Sequence, residues 1–178
     1  ARAWGQAVPT ENLKVQGRLM WEGRHYSTLD LSSAVPHDDT YNGALMFDSL
    51  YLQGDKLAGL PLSLKLGRQD IVLGNGWLVF DGTPFDGSRT IYFDALRTTY
   101  TRGDTSLEAI LIDNDAKSTL VLNNKDEDQI EQDERGLILY ARHKWSPDTS
   151  VEGFYIYKDN EKSTGEAAPR WYNNGAAA

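Results

Sequence analysis

The chain contains no cysteine, which removes disulfide scaffolds and thiolate metal sites from consideration. It also has no run of about 18 consecutive apolar residues, so no transmembrane helix can be drawn through it. Cationic excess is missing as well: 18 Lys and Arg stand against 26 Asp and Glu, a net charge of −8. That is the wrong sign for holding phosphate backbones, and no nucleic-acid partner is expected. Neither a nucleophile elbow nor a phosphate-binding loop is present. The three histidines, His25, His37 and His143, suggest neither a metal site nor a catalytic triad. Carboxylates are plentiful, but no pair is singled out as acid and base, so neither an enzyme nor a cofactor is expected. The acidic run at residues 125–134 lacks the Asp-x-Asp-x-Asp-Gly spacing of a calcium loop and reads as a solvated connection. Residues 1–10 show no charged segment leading into an apolar one, so no signal peptide is read there.

What the chain does have is alternation. Runs rich in Leu, Ile, Val, Tyr and Phe fall near residues 12–26, 42–53, 60–73, 90–100, 105–114, 136–145 and 149–158, and the period of two predicts seven strands. In the first run Leu13, Val15, Leu19 and Trp21 share a face, while Lys14, Gln16, Arg18 and Glu22 share the other. In the third, Leu60, Leu62, Leu64 and Leu66 oppose Ser63 and Lys65, and in the sixth Leu137, Leu139 and Ala141 oppose Arg142 and Lys144. The seventh opposes Val151, Gly153, Tyr155 and Tyr157 to Glu152 and Lys158, with Phe154 and Ile156 interrupting its polar side.

The connections alternate too. Residues 27–41, 74–89 and 115–135 are long, whereas residues 54–59, 101–104 and 146–148 are short. Regular long and short alternation is the habit of an up-and-down barrel in an outer membrane, with short periplasmic turns and long extracellular loops, and it sets the N-terminus on the periplasmic side. Trp21, Tyr26, Tyr92 and Tyr157 fall near the long-connection ends, and Tyr51, Tyr100 and Trp145 near the short-turn ends, as two interfacial girdles would. A soluble carbohydrate-binding β-sandwich, with Trp77, Phe80 and Trp171 as stacking platform, is the alternative, since sandwiches also alternate apolar and polar residues.

Within residues 64–89 the run Leu64-Lys65-Leu66-Gly67-Arg68-Gln69-Asp70-Ile71-Val72-Leu73-Gly74, followed by Trp77 and by Phe85-Asp86-Gly87-Ser88-Arg89, resembles the alginate-export family of outer-membrane porins. The resemblance covers about residues 12–157, and its specific part is residues 67–89. It implies an all-β, antiparallel transmembrane barrel, of which about seven strands are present. Residues 1–11 would be a periplasmic stub, and residues 12–178 the N-terminal part of a larger barrel in the bacterial outer membrane. It further implies a channel for an anionic polysaccharide such as alginate, or a related solute, through an arginine-lined pore narrowed by inward-folded loops. Outer-membrane lipid, lipopolysaccharide and periplasmic export partners would be its neighbours.

Alternation itself places Lys14, Arg18, Lys65 and Arg142 on polar faces, where charge meets lumen water rather than hydrocarbon. Arg68 shares parity with Leu62, Leu64 and Leu66. A β-bulge at Gly67 would re-phase the strand, turning Arg68 and Asp70 inward and Ile71 and Leu73 outward; the alternative is an Arg68 that snorkels to the rim. Asp86 and Arg89 belong either to a loop folded into the pore or to a pair that fixes that loop. Arg97 lies on the parity of Ile91, Phe93 and Ala95, which reads as apolar, and would snorkel near the periplasmic rim.

Overall fold

The computed structural model describes residues 1–28, 37–79, 92–123 and 133–160. They form one antiparallel sheet of eight strands in chain order: β1 (Arg2–Thr10), β2 (Leu13–Thr28), β3 (His37–Gly54), β4 (Leu62–Gln69), β5 (Phe93–Arg102), β6 (Thr105–Asn114), β7 (Glu134–Ser146) and β8 (Thr149–Asn160). The fold class is therefore all-β and antiparallel. Each strand pairs with its neighbour in sequence, and β1 and β8 are the two edges. A two-sheet sandwich is not formed among the described residues.

The strands depart from the sequence pattern in two places. The N-terminal stub is a strand, with β1 paired to β2 from Arg2↔Met20 to Thr10↔Leu13. Its positions Ala3, Gly5 and Ala7, paired with Leu19, Gly17 and Val15, are too small, and Pro9 too disruptive, to print an alternating signal; the register slips between Ala7 and Thr10, beside that proline. This added hairpin puts Ala1 at the long-connection end, not the short-turn end. The second departure lies between β2 and β3, which continue their pairing to Thr28↔His37. These two strands are the longest, 16 and 18 residues, and extend the sheet at its long-connection end.

Because paired residues share a face, the register sorts the whole sheet. One row runs Ala7, Val15, Leu52, Leu66, Leu96, Leu111, Leu137, Tyr157, apolar in all eight strands. The row beside it on the opposite face runs Lys14, Gln53, Lys65, Arg97, Ile110, Ile138, Ile156. The apolar row stands open, with Leu66 54%, Leu111 52% and Tyr157 48% exposed. The opposite face is covered and buries Asp48, Ser49 and Gln69 at 1% exposure or less together with Met20, Met46, Ile110 and Ile138; Arg68, on the parity of Leu66, is buried as well.

Two non-strand segments cover the charged face. Residues 71–79 fold back over it, and Ile71 and Leu73 join Ala95, Ile110, Ile138 and Tyr140 in a buried cluster, with Leu78 and Val79 packed at its margin. Residues 120–122 add to the edge of β3, through Phe47 N–H to Leu120 O at 3.1 Å and Leu122 N–H to Leu45 O at 2.7 Å. That edge lies beyond the reach of β4, whose last partner on β3 is Leu50. Val121 then seals Met20, Met46 and Tyr92.

Candidate functional site

The charged face holds the residues that the sequence singled out, in three groups along the strands. At the long-connection end, Arg18 on β2 donates Nε to Asp48 at 2.8 Å and its two terminal nitrogens to Asp70 at 2.9 and 3.0 Å. Arg2 on β1 reaches the same Asp48 at 3.5 Å. Asp48 is available because β3 bulges there: Arg18 pairs with Ser49 and Leu19 with Phe47, so one residue is skipped. A bulge lets two consecutive side chains face the same way, and both Asp48 and Ser49 are buried on the charged side.

The bulge expected at Gly67 is not there. Pairing on both sides of β4 runs without a skip through Gly67 and Arg68. Gly67 instead has φ +117°, and a Cβ there would sit 2.4 Å from the Leu50 carbonyl oxygen. This twist sends Arg68 into the gap where β4 leaves the sheet. Its guanidinium donates to both Asp94 oxygens at 2.9 and 2.7 Å, to the Phe47 carbonyl and to Ser118 Oγ, each at 3.0 Å, and lies 4.0 Å over the Tyr92 ring. Arg68 thus ties β3, β5 and the residues after β6 together, and it does not snorkel. Asp70 turns to the charged side as expected, in its contact with Arg18. Ile71 and Leu73 do not turn outward: they are 0% and 3% exposed beneath the folded segment. Asp86 and Arg89 lie outside the described residues, as do Phe80 and Trp171.

The middle group carries unbalanced positive charge. Lys14, Lys65 and Arg97 share one row. Arg97 is not on an outward face; it binds Glu108 at 2.6 and 2.7 Å. The Phe93, Ala95, Arg97 parity misled because residues 71–79 bring their own apolar cover to this face. Between the lysines lies Tyr51, with Lys65 Nζ 3.9 Å and Lys14 Nζ 5.5 Å from its ring centroid. Its hydroxyl donates to Gln16 at 2.7 Å. Asp55, in the β3–β4 connection, accepts from Ser63 and Gln53 and feels Lys14, which holds its carboxyl below the usual range.

The third group lines a cavity of about 460 Å³ between residues 72–75 and the short-turn ends of β5–β8. Arg142 approaches Glu152 at 3.4 Å there, and its buried Nε has no hydrogen-bond partner. Arg97, Lys144, Asp104 and Glu108 complete an evenly mixed set of charges around the opening.

The aromatic positions divide differently from the two expected girdles. Tyr51 and Tyr92 are buried at 8% and 4% exposure on the charged side. Trp21, Tyr100, Trp145 and Tyr157 have the outward parity, Trp145 at 76% exposure. The described residues include no group of three His, Asp or Glu that could hold a metal ion. Comparison with family models, with curated proteins and with solved structures returns no match.

Proposed function

We propose that this sheet is part of the wall of an outer-membrane β-barrel channel, with the charged face lining the lumen and the apolar face meeting lipid. The observation that carries this reading is the open apolar face: eight strands contribute apolar residues to one uncovered row, while the opposite face carries Lys14, Lys65 and Arg97 and is covered over an apolar cluster. In water an open apolar face this wide would seek a partner. In a bilayer the partner is hydrocarbon, and backbone polar groups are satisfied strand to strand.

The dimensions agree with a bilayer. On the outward side the apolar rows end at Asp113, Arg135 and Asp159 toward the long connections, and at Arg102, Thr105 and His143 toward the short turns. Asp113 lies eight positions after Thr105, about 27 Å of strand, or roughly 20 Å of bilayer at the usual tilt, close to the apolar band of about 25 Å in such barrels. The long connections would lie outside the cell and the short turns in the periplasm. Closure of the barrel requires β1 and β8 to find strand partners, since unpaired edges do not survive in lipid.

The transported solute is proposed to be anionic, a uronate polymer or related molecule, on the resemblance of residues 64–89 and on the neighbouring Lys14 and Lys65. Arg18 and Arg68 contribute little free field, because each is matched by carboxylates at hydrogen-bond distance. No catalytic step is assigned. The test is insertion of the full chain into vesicles, heat-modifiable gel mobility, and anion-preferring conductance in planar bilayers. A chain that stays in the aqueous phase, with mobility unchanged by heating, would end this reading.

A further inference from the structure

The outward face is not uniform. Over β5–β8 it holds a groove of about 510 Å³ whose lining is almost wholly apolar. Ala109, Ala141 and Gly153 form its floor, and Leu107, Leu139 and Tyr155 rise beside them. A Cβ at Gly153 would meet nothing within 4 Å, so the depression is open and not filled by a neighbour. Its short-turn end meets a polar row: Arg102 pairs with Thr105, and Thr105 with His143. His143 Nδ1 shares a 2.9 Å hydrogen bond with Thr105 Oγ1, and its ring meets Trp145 edge-on at 6.2 Å. The nearest acidic group of this turn, Asp104, lines the cavity on the opposite face.

We propose that this groove is a specific phospholipid site, holding an acyl chain over Ala109, Ala141 and Gly153 with the headgroup phosphate between Arg102 and His143. The inference rests on the membrane reading above. An apolar trough ending at a cation and an imidazole, with Trp145 at headgroup level, matches one amphiphile with an anionic head. The polar row of Arg102, Thr105 and His143 lies toward the short turns, which that reading puts on the periplasmic side, so the ligand is a glycerophospholipid of that leaflet and not lipopolysaccharide.

The experiment reconstitutes the full chain with phosphatidylglycerol, exchanges it into detergent, and counts retained lipid by native mass spectrometry. One phospholipid should stay bound per chain. Arg102→Glu reverses the charge at the rim, and Gly153→Phe fills the groove. Each should lower retention about tenfold, the scale of losing one charge-assisted contact, while Leu52→Phe, on the same face outside the groove, leaves it unchanged. Equal retention in all four proteins overturns the site and leaves the barrel standing. Equal loss in the Leu52→Phe control, or retention of lipopolysaccharide in place of phosphatidylglycerol when both are supplied, also overturns it. If Gly153→Phe fails to fold, Arg102→Glu at its exposed rim position still decides the matter. A wild-type chain that does not enter vesicles at all removes the membrane reading and the site together.

Discussion

Arginine placed at successive outward positions of β6 should trace the profile of a bilayer. The outward residues are Thr105, Leu107, Ala109, Leu111 and Asp113, and the Ala109–Leu139 pair lies midway between the two polar rows. If that face meets hydrocarbon, Ala109→Arg and Leu139→Arg should each cost about 2 to 4 kcal/mol of folding free energy, while Asp113→Arg, at the polar boundary, should cost roughly 0 to 1 kcal/mol. The larger figure is roughly a 30- to 900-fold change in the folding equilibrium. If the face instead meets water, Leu139 is already 45% exposed, and such a surface substitution would change stability by no more than about 0.5 kcal/mol. The two cases are separated by several times the usual error. The assay is reversible denaturant titration of the full chain folding into lipid vesicles, with Leu139→Ala as the reference for lost side-chain volume. A flat profile, with Ala109→Arg and Asp113→Arg alike and both small, would refute the assignment of faces.

The other expectations follow from the charged face. Gly67→Ala, forced to φ +117° with its Cβ against the Leu50 carbonyl, should cost at least about 1 to 3 kcal/mol, measured by the same titration, and more than Gly103→Ala, whose Cβ would meet nothing. Arg68→Ala should cost about 3 to 5 kcal/mol by leaving Asp94 unpaired, and adding Asp94→Ala should recover part of it; strict additivity would contradict the pairing. Lys14→Glu with Lys65→Glu should move single-channel selectivity from anions toward cations, with a shift that shrinks as salt is raised. Protease added to intact cells should cut within residues 115–133 before residues 103–104 or 147–148; the reverse order would invert the topology.

The parts of this fold that were legible in sequence are those where one strand carries the whole signal. In β2, Lys14, Gln16 and Arg18 alternate with Leu13, Val15 and Leu19, and the structure assigns those two sets to the two faces. What failed depended on distant partners. Arg97 looked misplaced among Phe93 and Ala95 because nothing local says that residues 71–79 return to cover that face. The same cover explains why Phe154 and Ile156 break the polar side of β8: Trp77 packs edge-on against Phe154 at 5.7 Å, and Ile156 joins the cluster of Ile71 and Leu73. The bulge expected at Gly67 is absent: Gly67 takes φ +117° with unbroken pairing, and the inserted residue is Asp48 in β3, opposite β2. A bulge is a property of a pair of strands, and one strand's pattern does not locate it. Of the candidate site, Lys14, Lys65 and Arg142 were placed by alternation alone. Strand adjacency already allowed Arg18 to pair with Asp48, as it does at 2.8 Å, whereas its commitment to Asp70 needed a contact 52 residues away.

The absence of cysteine makes the central claim directly measurable. Single cysteines introduced at each position from Thr105 to Asn114, labelled with a nitroxide in the membrane-reconstituted protein, report oxygen against a water-soluble nickel chelate as collision partner. The account predicts a period of two, with oxygen favoured at 107, 109 and 111 and not at 106, 108 and 110, and with the chelate gaining at 105 and 113. Equal access of the chelate to 107, 109 and 111 would show that the apolar face meets water, and would contradict the account.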